Sequence, residues 1–394
     1  NIPPQTSTIA SQLPKAVGAA FAIDLSRRLG QSGNWPADAI VMCSFGDASV
    51  NHSTAQGAIN AACWAAYQQV PLPMLFVCED NGLGISTPTP QGWIEQSLAD
   101  RSELRYFAAD GRDLAQTFAV ARKAAHYVRS KRRPALLHLS TVRLFGHAGA
   151  DTETAYRNKN LIATELTLDP LLASTATVLA RGILNRKQLY DAVTTLAHQI
   201  SRVAAVASSK PKLQTAAGVM AAIAPLRPAL PAPPLPASAI RSALFDFDKH
   251  NLAKPQHLAK LLNWTLHDLF AQYSNTLLFG EDVAKKGGVY GVSQHLIQAF
   301  GGNRVINTLL DEQSILGMAI GLAQQGFLPI AEIQFLAYVH NAEDQIRGEA
   351  ATLPFFSNGQ YHNAMVIRIA GLAYQRGFGG HFHNDNSFAV FRDI

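Results

Sequence analysis

The chain has 394 residues, 48% of them apolar and 15% charged, with 33 Lys+Arg against 28 Asp+Glu for a formal net charge of +5. That length exceeds one compact core and predicts two or three domains, and the apolar content excludes a disordered chain. Charged residues fall well below the roughly 25% of an average soluble chain, which predicts that part of the surface is covered by a partner chain.

The basic excess is spread along the chain, and its sharpest run, Lys131-Arg132-Arg133, ends at Pro134. Nucleic-acid binding needs a denser stripe; an anionic small molecule fits the excess equally well. Three cysteines, Cys43, Cys63 and Cys78, exclude a disulfide scaffold, and the lack of a Cys-x-x-Cys pair argues against a zinc or redox motif. They read as buried thiols in a reducing cytoplasm. No run of 18 apolar residues predicts a membrane span, and no basic, apolar leader is visible at Asn1. A start without Met points to a trimmed or incomplete chain.

Residues 1 to 158 alternate helical patterns with short apolar runs. Ala39–Cys43 reads as a buried strand, Gly46-Asp47-Ala48 as a turn, residues 54–69 as a helix, Pro73–Cys78 as a second strand and Ala135–Leu139 as another. Strand, helix, strand in this order predicts a parallel α/β sheet. Residues 159–224 are Ala-rich and helical in pattern. Six prolines between 225 and 236 exclude both helix and central strand, so 159–240 reads as a helical segment and linker; a polyproline ligand is the sharper alternative. A second α/β unit, 241–394, comes next. It has strands at 275–280, 330–335 and 365–368, an apolar helix at 313–325, and the loop Gly377–His383.

Ligands of open parallel sheets gather at the carboxyl ends of strands. Asp47 after one strand and Asn81 after the next would sit there. A carboxylate and an amide oxygen are hard ligands, suited to Mg²⁺ or Ca²⁺ on a phosphate, and the amides after Gly46 could meet an anion. The bland alternative is a helix cap at Asp47 and a simple turn at Asn81-Gly82.

Together the two segments resemble the diphosphate-metal signature of thiamine diphosphate enzymes, with Ala48 at the third position of Gly-Asp-Gly and Asp80-Asn81 for the asparagine pair. Residues 7–20, Gly82–Thr89, Arg143–His147 and Ala155-Tyr156-Arg157 resemble the α part of the thiamine-dependent decarboxylating component of 2-oxoacid dehydrogenase complexes. Leu278–Val283, Asp311–Ile315, Glu332–Phe335 and Asp344-Gln345-Ile346 resemble its β part. The chain thus resembles an α–β fusion of that component. The resemblance implies an α/β fold of two thiamine-diphosphate-binding modules, with parallel sheets flanked by helices, joined by a helical and Pro-rich linker. It implies that Asp47, Asn81 and the carbonyl of Leu83 hold Mg²⁺ on the diphosphate, beside Gly46, Ala48 and Ser49. By the same resemblance Ser7 and Ile9 contact the aminopyrimidine, and Tyr338 stacks on it.

The resemblance makes Glu312 the activating glutamate. A carboxyl hydrogen-bonded to a pyrimidine nitrogen favours the imino tautomer, and an apolar pocket would raise its pKa; a helix-start glutamate favoured by the dipole is the bland alternative. His147 and His383 match the active-site histidines, suited to proton donation by a pKa near neutrality, with His383-Asn384-Asp385 where the family has His-Ser-Gln. Glu281 matches a second acid for proton relay. His138 and His381 read as structural. Ala148-Gly149-Ala150 stand where eukaryotic relatives carry a phosphorylatable serine, so no such regulation is expected.

The implied reaction is oxidative decarboxylation of a small 2-oxo acid with acyl transfer to lipoamide. The implied partners are a second copy of the chain, as a homodimer or higher oligomer, and a lipoyl-bearing acyltransferase core, with no nucleic acid and no membrane. A transketolase-like transferase and a degenerate, non-catalytic cofactor-binding protein are the alternatives. Further residues before Asn1 and past Ile394 are expected.

Overall fold

The computed structural model describes residues 2–31, 33, 35–223, 231–372 and 379–394; Pro225, Pro228, Gly377 and Phe378 of the segments read above lie outside them. The first helix, α1 (Gln12–Arg28), is rich in Ala and small residues and is buried on nearly every side from Leu13 to Ser26, as a helix at the centre of a core must be. Asp24, inside it, is matched by the guanidinium of Arg132, whose Nη2 lies 2.7 Å from Oδ2.

Strand β1 (Val41–Gly46) begins two residues later than the apolar run and reaches Gly46, which places Asp47 at the strand's carboxyl end. The helix α2 (Ser53–Tyr67) starts where His52 Nδ1 accepts from the Thr54 amide at 3.2 Å. Strand β2 (Met74–Asp80) is followed by β3 (Arg105–Asp110), which the apolar pattern misses. Helix α3 (Leu114–Lys131), capped by Asp113, stops at Arg132 in the left-handed region, ahead of Pro134 and β4 (Ala135–Ser140). The sheet runs β1-β2-β4-β3 and is parallel throughout. Its register sets Gly46 beside Glu79, and Ser140 beside both Asp80 and Asp110, so these residues share one edge.

Helices at Lys159–Leu166, Pro170–Ala180, Arg186–Ser208 and Ala216–Ile223 come next. The first three have no buried residue. The longest begins with a capping box between Asn185 and Gln188. Residues 231–237 have no regular structure.

The second unit carries α4 (Leu258–Gln272), β5 (Thr276–Gly280), β6 (Val305–Asn307), α5 (Glu312–Gln324), β7 (Leu328–Ile333) and β8 (Val366–Ile369). This sheet is also parallel, in the order β8-β7-β5-β6. The three-residue β6 is too short for its pattern to be read from sequence, and the run read at 330–335 lies two residues late. The fold class expected from the sequence is the one observed: parallel sheets flanked by helices.

The main core cluster spans both units, and each unit has a smaller cluster of its own. Leu13, Val17 and Leu25 of α1, Phe76 and Leu136 of the first sheet, and Leu277, Ile315 and Leu316 of the second unit are buried in a single cluster. Glycines let α1 and α5 approach to backbone contact. A Cβ on Gly18 would overlap the Met318 carbonyl, and one on Gly321 would overlap that of Lys15. An ion pair seals the same junction: Lys15 Nζ lies 2.5 Å from Glu349 Oε2, both buried, while Ser11 and Thr6 hydroxyls donate to Oε1 at 2.5 and 2.9 Å. Residues 6–15 are thereby fixed to the helical turns at 344–350. Cys43 and Cys78 are buried as read, whereas Cys63 is only partly covered.

Candidate active site

The carboxyl edge of the first sheet brings Asp47 and Asn81 together. Asp47, in the single 3-10 turn after Gly46, is 1% exposed. Its Oδ1 faces the Asn81 amide, which donates at 3.4 Å, while Oδ2 is buried without a hydrogen-bond partner. A carboxylate oxygen left so is costly unless a cation or donor completes it. Asn81 Oδ1 accepts from the Leu83 amide at 3.1 Å, and Leu83 pairs with Pro88 in a two-residue antiparallel bridge that holds the loop. Gly84 packs against Ala48, where a Cβ would come within 2.6 Å of the alanine methyl; Ala48 and Ser49 are half-buried beside it. Among the described residues no group of three or more His, Cys, Asp or Glu could hold a metal. A cation here would take oxygens from one carboxylate, an amide, a carbonyl and its own ligand's phosphates, the hard donor set Mg²⁺ accepts.

A second group lies at the carboxyl edge of the second sheet. Glu312, first residue of α5, is 8% exposed, and its Oε2 accepts from Asn341 Nδ2 at 2.9 Å. Its neighbour Gln313 donates through Nε2 to Asn341 Oδ1 at 2.9 Å and to Ser53 Oγ at 3.1 Å, and accepts from Thr54 Oγ1 through Oε1. The N-terminus of α2, six residues after Asp47, is thus tied to the start of α5. Glu281 follows β5, and burial together with the negative charges of Glu312, Asp282 and Asp311 pushes its carboxyl up to about 7. Burial also raises Asp311.

Tyr338 and His383 form a third group around Phe335. The His383 ring lies 4.4 Å from that of Phe335, and Tyr338 Oη is 3.4 Å from His383 Nε2. Tyr338 is 36% exposed, so it is not mere core. Ser7 and Ile9 are exposed between the anchored Thr6 and Ser11. His147 is also exposed, and the contact that holds it is local: its amide donates to Asp151 Oδ2 at 2.7 Å. That loop is braced by Arg143, which donates to Glu153 and to Tyr156.

Residue-type reasoning missed the partners that position these groups, namely Asn341, Gln313, Ser53, Thr54 and the pair Lys15–Glu349. Each joins segments far apart in the chain, and nothing local marks them.

Two family descriptions match separate parts of the chain. Residues 1–216 match the family described as dehydrogenase E1 component, and residues 254–354 match the transketolase pyrimidine-binding domain. Among similar curated proteins is the mitochondrial 2-oxoisovalerate dehydrogenase subunit beta of Chaetomium thermophilum, 36% identical over 166 residues, 42% of this chain and 33% of the relative. The 3-methyl-2-oxobutanoate dehydrogenase subunit beta of Mycobacterium tuberculosis is 35% identical over 130 residues, 33% of this chain and 36% of the relative. The pyruvate dehydrogenase E1 component subunit beta of Bacillus subtilis is 38% identical over 109 residues, 28% of this chain and 31% of the relative. The chain spans about a third of the length of these relatives. Among the described residues no helix is long and apolar enough to cross a membrane.

Proposed function

The chain belongs to the dehydrogenase E1 component family, and from that premise we propose that it takes part in the thiamine-diphosphate-dependent oxidative decarboxylation of a 2-oxo acid, with transfer of the acyl group to a lipoyl group on a partner acyltransferase. The observation that carries the reading is the orphaned, buried Oδ2 of Asp47 beside Asn81 at the carboxyl edge of a parallel sheet. Residues 1–158 would serve as the diphosphate module and 241–394 as the pyrimidine module, with 159–240 joining them.

Asp47, Asn81 and the Leu83 carbonyl would hold Mg²⁺, and the backbone at Gly46, Ala48 and Ser49 would flank the diphosphate. Ser7, Ile9 and Tyr338 would enclose the aminopyrimidine, and Glu312 would hydrogen-bond its ring. When bound, the cofactor supplies the nucleophilic carbon and the electron sink that decarboxylation needs. The protein's part is positioning and proton handling. Asn341 holds one oxygen of Glu312 and fixes its orientation. Glu281, with a carboxyl near 7, can give up or take a proton at neutral pH. His147 and His383 would serve as proton donors near the reacting carbon, His383 being steadied by Phe335 and Tyr338. Exposure of Ser7, Ile9 and His147 supports a site completed by a second copy of the chain.

The test is 2-oxo-acid-dependent reduction of an artificial electron acceptor in the presence of thiamine diphosphate and Mg²⁺, over pyruvate, branched-chain 2-oxo acids and 2-oxoglutarate. Turnover that disappears in Glu312→Ala is expected. Cofactor binding with no turnover, or turnover unchanged in Glu312→Ala, would overturn the enzymatic reading.

A further inference from the structure

At the edge that carries Asp47 and Asn81, a chain of partly buried polar groups crosses three strands. Asp80 ends β2, and its Oδ2 lies 2.9 Å from His138 Nε2 on β4; His138 Nδ1 lies 2.6 Å from the hydroxyl of Tyr106 on β3. A carboxylate only accepts, so Nε2 carries the hydrogen and Nδ1 is left to accept from the tyrosine. His138 is 8% exposed. Asp80 is held on its other side too. Its Oδ1 accepts from the Gly82 amide at 3.0 Å and its carbonyl from the Thr141 amide at 2.6 Å. Asn81 lies between those two anchors, its own amide directed to Asp47 and its side chain to Leu83.

We propose that Asp80, His138 and Tyr106 are positioning residues that set the loop bearing Asn81 and Leu83 against Asp47. This rests on the reading of that loop as the metal–diphosphate site. The chemistry is specific about the residue types. Both carboxylate oxygens of Asp80 accept, one from Gly82 and one from His138, and an amide has a single accepting oxygen. Asp80→Asn therefore loses the charged acceptor and presents an N–H to Nε2, which can accept only if His138 changes tautomer and donates through Nδ1 to Tyr106 instead. His138→Glu sets carboxylate against carboxylate. The double exchange re-pairs every group. The new amide accepts from Gly82 through its oxygen and donates through its nitrogen to the new carboxylate, which also accepts from Tyr106.

The test is amide hydrogen exchange of the full chain without cofactor, together with titration of thiamine diphosphate in Mg²⁺. In each single variant, exchange over residues 80–84 is expected to speed up about tenfold, the loss of one charge-assisted hydrogen bond, and cofactor affinity to weaken about tenfold. Asp80→Asn/His138→Glu should return both to within about twofold of the parent. Tyr106→Phe, which removes one hydroxyl only, should shift both by about threefold. Exchange over residues 276–333 should stay unchanged in all of them. Equal acceleration over 276–333, or a double variant no better than the singles, would overturn the proposal. Failure of the parent to bind thiamine diphosphate would overturn the metal–diphosphate reading instead, while the exchange results still decide the role of the chain of three.

Discussion

Gly321→Ala tests the junction on which both halves of the site depend. A Cβ there would overlap the Lys15 carbonyl oxygen and stand 2.6 Å from the Ala19 nitrogen, where ordinary contact begins at 3.4 Å. Both neighbours are backbone of α1, so no side chain can swing aside. The helices must part, and Leu13, Val17, Ile315 and Leu316, all fully buried between them, lose contact. Overpacking of this kind costs about 1–3 kcal/mol, at times more, and a gap of about 0.5–1 Å forfeits a quarter to a half of each dispersion contact. Alanine's better helix propensity returns about 1 kcal/mol. The net expectation is a loss of up to about 2 kcal/mol, and an apparent Tm lower by roughly 2–3 °C for a chain of this length. Gly149→Ala is the control, since nothing lies within 4 Å of the position its Cβ would take, and its Tm should match the parent. Thermal melts followed by circular dichroism decide the matter. If Gly321→Ala melts with Gly149→Ala, backbone contact does not set the spacing of the two helices.

Lys15→Met leaves the Glu349 carboxyl buried without its cation, and should destabilise by about 3–5 kcal/mol in urea melts, with Lys15→Met/Glu349→Gln recovering most of the loss. Glu281 binds its proton more tightly folded than unfolded, its carboxyl moving from 4.5 to about 7. Its contribution is therefore full below about pH 4.5 and lost as pH rises through about 7. Glu281→Gln should flatten the fall of Tm across that window, and an unchanged slope would contradict the assignment. Asn341→Leu removes the donor to Glu312 Oε2; it should lower acceptor reduction by at least about tenfold, with cofactor affinity nearly unchanged.

How much was legible in the sequence depends on where the information lies. Strands β2 and β4 are continuous apolar runs because they lie inside a parallel sheet covered on both faces, and they stand out at once. Strand β3, Arg-Tyr-Phe-Ala-Ala-Asp, is an edge strand with charges at both ends, and β6 has only three residues; neither makes a pattern. Asp47 and Asn81 were visible because each directly follows a strand. His138 reads as structural when taken singly, since its partners Asp80 and Tyr106 lie 58 and 32 residues away. Gln313 reaches Thr54 across 259 residues. Such pairs are products of the fold, and no local spacing encodes them.

Calorimetric titration of thiamine diphosphate into the chain, with and without Mg²⁺, asks most directly whether Asp47 faces a cation on a diphosphate. If it does, binding depends on Mg²⁺ and weakens about a hundredfold or more in Asp47→Asn, which keeps the size and the contact to Asn81 but removes the charge facing the cation. Binding that is absent, indifferent to Mg²⁺, or unchanged in Asp47→Asn would contradict that role.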